Sequence, residues 1–276
     1  RRLGDQLRAC ITAARKNGLQ VHAWKVCWQV ENAPAEFKQR LKQEGRLQQR
    51  ADGSTVYWMN PALTANRNLE LAALEELARN YDMDGIHLDY VRYPDSAACY
   101  APASRRAFES WLGRSITAWP AGVRSGTGLK DYQRWRTQTI TDFVREARQR
   151  IKAINPKLKL SAAVWGGYPD TLPSISQDWG LWLKEGYVDF VCPMNYTEDA
   201  FRFSALVQKQ MKLPGARGRI FPGLGVTASE SQLRPDEVVE QIAALRRGGA
   251  AGFVLFDLSQ TLRQDVLPVL SQGVTR

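Results

Sequence analysis

The chain has 276 residues, 44% of them apolar, a net charge of +10 and no low-complexity tract. That length suits one large α/β domain spanning 1–276, and no run of 18 apolar residues offers a membrane span. Four cysteines without C-x-x-C spacing and only two histidines argue against a metal site, and Cys27 and Cys192, set in apolar strand-like runs, read as core residues.

The first residues, Arg1-Arg2-Leu3, carry neither an initiating Met nor a signal peptide, so the chain reads as a processed or trimmed piece whose compartment its N-terminus does not reveal. A helical period runs through Leu3, Leu7, Cys10, Ile11 and Ala14 and ends at Asn17-Gly18. Residues 21–28 (VHAWKVCW) read as a strand, 34–44 as a basic helix, Asp52-Gly53 as a turn and 55–60 (TVYWMN) as a second strand. A helix over 69–77 leads to the strand GIHLDY at 85–90. Residues 95–130 break the rhythm with Pro102, Pro120 and several glycines around a short helix near 104–112, the pattern of a long insertion.

A long helix over 130–154 stops at Asn155-Pro156, and regular alternation resumes: strand 159–165, helix 176–185, strand 187–195, helix 200–212, strand 219–226, helix 235–247, strand 251–258, helix 261–270. Seven strands, each followed by a helix, predict a parallel sheet covered by helices. With a first strand upstream of Arg1 the count becomes that of a (β/α)8 TIM barrel, with the insertion after strand four. A doubly wound open sheet is the alternative, weakened because no strand-to-helix turn carries G-x-G-x-x-G or a P-loop; no cofactor is expected.

In a barrel the strand ends build the site. Alternation along GIHLDY puts Ile86, Leu88 and Tyr90 on one face, suited to packing under helices, and His87 and Asp89 on the other, with Asp89 at the top. Asp89 is either a buried carboxylate, paired with Arg92 or hydrogen-bonded to loop amides, or a group awaiting a ligand; its place at a strand end, before Arg92 and Tyr93, favours function. Arg92 and Tyr93 also suit pinning the loop against Pro94. Sugar hydrolysis commonly needs two carboxylates, and other strand ends offer Asp178, Glu198 with Asp199, and Asp257 on the face of Phe253 and Leu255. Each has a plainer reading: helix capping for Asp178, Glu198 and Asp199, an ion pair for Asp257.

Trp24, Trp28, Trp58, Trp165, Tyr93 and Tyr196 fall at or near strand ends, beside Asn60 and Asn195. Singly each is ordinary core; together with carboxylates they fit a sugar site, where rings stack on pyranose faces and amides bind hydroxyls. The basic residues are spread through helical segments, which fits a solvated surface or attraction to a polyanion such as an anionic glycan or cell wall. No nucleic-acid-binding signature accompanies them, so nucleic acid is not an expected partner.

DGIHLDYVRYPD (84–95), KLSAAVW, QDWGLWL, GYVDFVCPMNYT, PGLGV and GGAAGFVLFDL, in that order across about residues 19–258, resemble the bacterial glycosyl-hydrolase-like family ten. Most of the specificity lies in Asp84, Gly85, His87, Asp89, Arg92 and Pro94. The resemblance implies a (β/α)8 barrel acting on glycans in the periplasm or outside the cell, with peptidoglycan strands the substrate of some relatives. Many relatives carry a second acid directly after the position of Asp89; here it is Tyr90, which leaves the partner open.

The resulting expectation is a glycoside hydrolase. Asp89 serves as nucleophile or stabiliser of an oxocarbenium-like transition state, Glu198 as general acid, and Asp178 and Asp257 stand in reserve. Trp24, Asn60, His87, Arg92, Tyr93, Trp165, Asn195, Tyr196 and Asp257 would bind substrate. A carboxyl separation of about 5 Å would mean retention and roughly 6.5 to 9.5 Å inversion. With a 2-acetamido sugar the substrate could supply its own nucleophile, leaving Asp89 as acid or orienting base. The competing readings are a carbohydrate-binding barrel without turnover and, on the weak cue of Gly223 and Gly225, an enzyme of phosphorylated substrates.

Overall fold

The computed structural model describes residues 4–273, arranged in two compact units: residues up to 160 with 171–178, and residues 161–170 with 179 onward. Leu3, an expected helix position, lies outside the described residues.

In the first unit, α1 (Gln6–Lys16) begins where the Asp5 carboxylate accepts the Arg8 amide at 3.0 Å and ends before Gly18, which takes the left-handed conformation at φ +67°. There follow β1 (His22–Val26), α2 (Ala35–Gln43), β2 (Leu47–Gln49), β3 (Thr55–Met59), α3 (Thr64–Asn80) and β4 (Gly85–Asp89). β1 and β4 pair in parallel, with His22 opposite Gly85, Trp24 opposite His87 and Val26 opposite Asp89. Ile86 and Leu88 are fully buried, whereas His87 and Asp89 on the other face are only partly so. The expected alternation therefore holds as far as Asp89; Tyr90, expected beside Ile86 and Leu88, has left the strand at φ +54° and packs its ring against Trp58 instead.

One expectation fails. TVYWMN is not a parallel strand with its own β–α cycle; it is the second arm of an antiparallel hairpin, β2 with β3, and Trp58 also bridges antiparallel to Gln29. Asp52 accepts the Ser54 amide at 2.8 Å and Gly53 sits at φ +83°, which reverses the chain in too few residues for a parallel crossover. Leu47–Gln49, hidden in the sequence behind a basic helix, is the partner strand.

The insertion is packed rather than loose. α4 (Pro102–Leu112) and the start of α5 (Gly126–Ile154) bury Phe108, Ile116, Val123, Tyr132 and Trp135 in one aromatic cluster. α5 ends at Asn155, before Pro156, and a short α6 (Leu172–Ile175) completes this unit.

The second unit holds β5 (Lys159–Trp165, from Ser161 onward), α7 (Trp179–Lys184), β6 (Phe190–Met194), α8 (Ala200–Met211), β7 (Gly223–Gly225), α9 (Pro235–Arg247), β8 (Val254–Phe256) and α10 (Leu267–Leu270). Its strands are parallel in the order β5-β6-β7-β8, with Trp165 opposite Met194, Met194 opposite Gly223 and Gly225 opposite Phe256. Phe203, Val207, Leu224, Val226, Val238 and Ile242 form the core between strands and helices. Six parallel strands are thus present among the described residues, where the sequence suggested seven. None of the described helices is long and apolar enough to cross a membrane.

Candidate functional site

The first unit assembles a site around Asp89, the last residue of β4. Its two carboxylate oxygens are held separately: Oδ2 accepts from Trp24 Nε1 at 3.0 Å, and Oδ1 accepts from the Tyr90 amide at 2.7 Å. Tyr90 itself turns into the left-handed region at φ +54°, a conformation that costs a non-glycine residue about 1 kcal/mol or more. Burial pushes the Asp89 pKa above the ordinary carboxylate value, and the bonds from Tyr90 and Trp24 and the charge of Arg92 only partly oppose it. Trp24 itself is 60% exposed, so its indole offers an open face while its N–H holds the acid.

Arg92 closes the other side. Its guanidinium lies 5.1 Å from the Trp58 ring centre and 5.3 Å from that of Tyr90, and those two rings meet edge-on at 5.5 Å. Arg92 Nη1 also donates to the carbonyls of Tyr93 and Pro94 at 3.0 and 3.2 Å, fixing the loop after β4. His87 shares the Asp89 face, and burial, with the nearby His22, lowers its pKa to about 4, so its imidazole is neutral near pH 7. His22 lies directly over Gly85, where an added Cβ would stand 2.3 Å from Nδ1.

Behind the strand, two charges that the sequence reading passed over position the site. Lys25 on β1 and Glu70 on α3 form a short, largely buried ion pair. Lys25 Nζ also donates to the Val26 carbonyl at 2.5 Å. Glu70 Oε1 accepts from the amide of Trp28, which is itself in the left-handed region at φ +63°. The signal was legible in principle: a lysine, partly buried, inside the apolar strand HAWKV and a glutamate, buried, inside LELAAL.

Two expected ligand residues of this unit sit inside it. Asn60 is fully buried, donates to Ser104 Oγ at 2.8 Å and accepts from the Ala62 amide at 3.1 Å. Tyr93 is fully buried under the Arg136 guanidinium, 4.1 Å from its ring centre. Both hold the fold and face no solvent. Asp178 is partly buried in the link between α6 and α7.

The second unit places its expected residues as follows. Trp165, at the end of β5, is 38% exposed. Tyr196 stacks on Phe256 at 5.4 Å, an arrangement that needs Gly223 and Gly225, whose added Cβ atoms would each lie 3.0 Å from Tyr196 atoms. Asn195 is fully buried in a reciprocal amide pair with Gln210, at 3.0 and 2.7 Å, and Gln210 in turn donates to the Gly166 carbonyl at 2.9 Å. Asp257 is exposed and accepts from Thr227 Oγ1 at 2.7 Å. Glu198 is exposed and accepts the Gln232 amide at 3.0 Å, while its neighbour Asp199 caps α8 through the amides of Phe201 and Arg202. Of the adjacent acids, Asp199 does the capping.

Comparison with known families settles the lineage. The family described as Glycosyl hydrolase-like 10 matches residues 3–216. The chain belongs to that family. Among curated relatives of this glycosyl hydrolase-like protein, an S-layer-related protein of Niallia circulans is 33% identical over 134 residues, 43% of this chain and 8% of that one. The glycosyl hydrolase YngK of Bacillus subtilis is 21% identical over 220 residues, 73% of this chain and 40% of that one. The chain therefore spans less than half the length of either relative.

Among solved structures, the glycoside hydrolase domain of PgaB (BpsB) from Bordetella bronchiseptica superposes with a TM-score of 0.73 at 15% identity, over 92% of this chain and 74% of that one. A GH42 β-galactosidase, Gan42B from G. stearothermophilus, gives 0.69 at 13% identity, over 91% and 43%. At such identities the likeness is one of fold alone: an α/β fold with parallel strands, whose structural neighbours are TIM-barrel glycoside hydrolases.

Proposed function

We propose that this protein hydrolyses glycosidic bonds of an extracellular or periplasmic polysaccharide, peptidoglycan strands being the first candidate, with Asp89 at the reaction centre. The observation that carries the reading is a carboxyl at a parallel strand end, oriented through both oxygens by Trp24 and Tyr90 and raised in pKa by burial. A pKa raised toward the working pH suits a group that gives or takes a proton. That moves Asp89 from nucleophile toward proton transfer. The remaining role falls to a second carboxylate, Glu198 with Asp178 in reserve, or to the acetamido group of the sugar itself. Exposed Trp24 offers a ring for a pyranose face, and Arg92, His87, Trp165, Tyr196 and Asp257 are proposed as further substrate contacts.

We also propose that the strands belong to one (β/α)8 barrel domain; the support is the likeness of fold to the Bordetella hydrolase domain over 92% of the chain. The name of the S-layer-related relative supports action at the cell surface.

The test is product release from bacterial glycans, peptidoglycan with and without stem peptides included, by the wild type and by Asp89→Asn, Glu198→Gln and Asp178→Asn. Loss of more than about a hundredfold in Asp89→Asn with binding retained, roughly 2.7 kcal/mol of transition-state stabilisation, establishes hydrolysis and the role of Asp89. If no protein releases product and all of them retain the same glycan, the protein is a carbohydrate-binding module and the catalytic assignment is wrong.

A further inference from the structure

The charge of the chain is not shared between its units. The first contains 27 Lys and Arg against 17 Asp and Glu, the second 11 against 11, so the whole excess of +10 lies on the unit that carries Asp89.

Within that unit, one face of α2 gathers positive charge beside an exposed ring. Ala35, Lys38, Gln39, Lys42 and Gln43 recur at the i, i+3, i+4, i+7, i+8 spacing of one helix face and, with Tyr57 of β3, line an open groove of about 640 Å³. Lys38 Nζ stands 5.6 Å from the Tyr57 ring centre, and it donates to the Glu31 carbonyl at 2.8 Å, which orients it without neutralising it. Tyr57 is 39% exposed. Its neighbour Trp58 points the opposite way along the strand, to Tyr90 and Arg92. One hairpin strand thus presents a ring to the Asp89 site and the next ring to the groove.

We infer that this groove is a second glycan-binding site that selects carboxylated or otherwise anionic sugars. Tyr57 supplies the platform for a pyranose face, Lys38 and Lys42 receive the anionic substituents, and Gln39 and Gln43 reach hydroxyls. The inference rests on the reading of the protein as glycan-acting, and it deepens that reading by naming the substrate class. Coulombic selection by solvent-facing lysines must weaken with salt. An anionic chain held here would be retained next to the catalytic loop between successive cleavages.

The experiment measures binding in the full chain carrying Asp89→Asn, so that turnover does not interfere. The probes are peptidoglycan glycan strands freed of stem peptides, whose muramic residues each bear a carboxylate, and the same strands with those carboxylates amidated. The charged strands should bind at least about tenfold tighter in low salt, equivalent to 1.4 kcal/mol. That preference should vanish in Lys38→Gln/Lys42→Gln, and Tyr57→Ala should weaken both probes alike. Gln43→Lys adds a charge to the same stripe and should tighten only the charged strands, which keeps the test decisive if a loss variant folds poorly. Equal binding of the two probes by the parent, or an undiminished preference in Lys38→Gln/Lys42→Gln, overturns the inference. So does groove-dependent binding of a single-stranded RNA oligonucleotide tighter than that of the strands. Failure here with an intact Asp89-dependent turnover leaves the hydrolase reading standing, and charge-selective binding without turnover does the reverse.

Discussion

His87 provides the sharpest quantitative check on the Asp89 face. Its pKa is drawn from the ordinary 6.5 to about 4, first by burial and then by the neighbouring His22. In the unfolded chain the imidazole takes up its proton near pH 6.5; in the native protein it does not until about pH 4. The unfolded state therefore binds more protons between those values. The contribution of His87 is fully present above pH 6.5 and is lost progressively as pH falls toward 4. Integrated from pH 7.5 to pH 5, the extra proton binding of the unfolded state amounts to about 1.4 pH units, or about 2 kcal/mol. That corresponds to roughly 4 to 8 °C in Tm for a chain of this size. Urea unfolding at the two pH values, wild type against His87→Gln, should show a stability loss on acidification smaller by about 2 kcal/mol in the variant. The carboxylates act in both proteins and cancel in the difference, while the repulsion between His22 and His87 is part of what the variant removes. An identical acid-induced loss in both proteins would mean that the imidazole is not held neutral on this face, and the desolvated character argued for the Asp89 site would fall with it.

Other perturbations separate orientation from architecture. Trp24→Phe removes the N–H that Asp89 Oδ2 accepts while changing an exposed side chain, so stability should move by no more than about 0.5 kcal/mol. The acidic limb of the pH–rate profile should shift upward, because that bond holds the Asp89 pKa down; an unmoved limb would exclude Asp89 as the group titrating there. Glu70→Gln leaves Lys25 buried without its anion and should cost about 3 to 5 kcal/mol in urea unfolding, whereas Lys25→Met/Glu70→Leu should recover most of it. A single variant no less stable than the double would show the pair to be solvated. Gly166→Ala drives a Cβ to 2.2 Å from Asn195 Oδ1 and should cost about 1 to 3 kcal/mol by splitting the Asn195–Gln210 pair; a midpoint equal to wild type would show that the pair is slack.

Most of the β–α rhythm was legible because each parallel strand is an apolar run and each helix shows the 3.6-residue period. The hairpin was not. β2, LQQ, is three residues long and carries two glutamines, so no period-two pattern announces it, and a hairpin strand such as TVYWM has the same composition as a buried parallel one. The site divides in the same way. Strand alternation put Asp89 and His87 on the correct face, because that rule depends only on backbone geometry. It could not say that Asn60, Tyr93 and Asn195 would be enclosed, since burial of a residue past a strand end depends on which segments fold over it. For Asn60 that segment is α4, through Ser104; for Tyr93 it is α5, through Arg136.

The positions that escaped the sequence share a function in holding backbone where it is strained. Trp28 follows β1 and Tyr90 follows β4, and both take left-handed conformations that bulky residues ordinarily avoid. Each has a carboxylate at its amide: Glu70 for Trp28, Asp89 for Tyr90. The two turns are therefore held by complementary means, one by an acid locked in an ion pair with Lys25, the other by the acid assigned to chemistry. Any change in the protonation of Asp89 alters the strength of the bond that maintains the Tyr90 turn, and Tyr90 carries the ring against which Trp58 and Arg92 pack. The protonation state of Asp89 and the loop after β4 thus meet at one hydrogen bond. The aromatic residue at position 90 meets the Asp89 site twice over: its amide donates to the carboxylate, and its ring packs against Trp58 and Arg92.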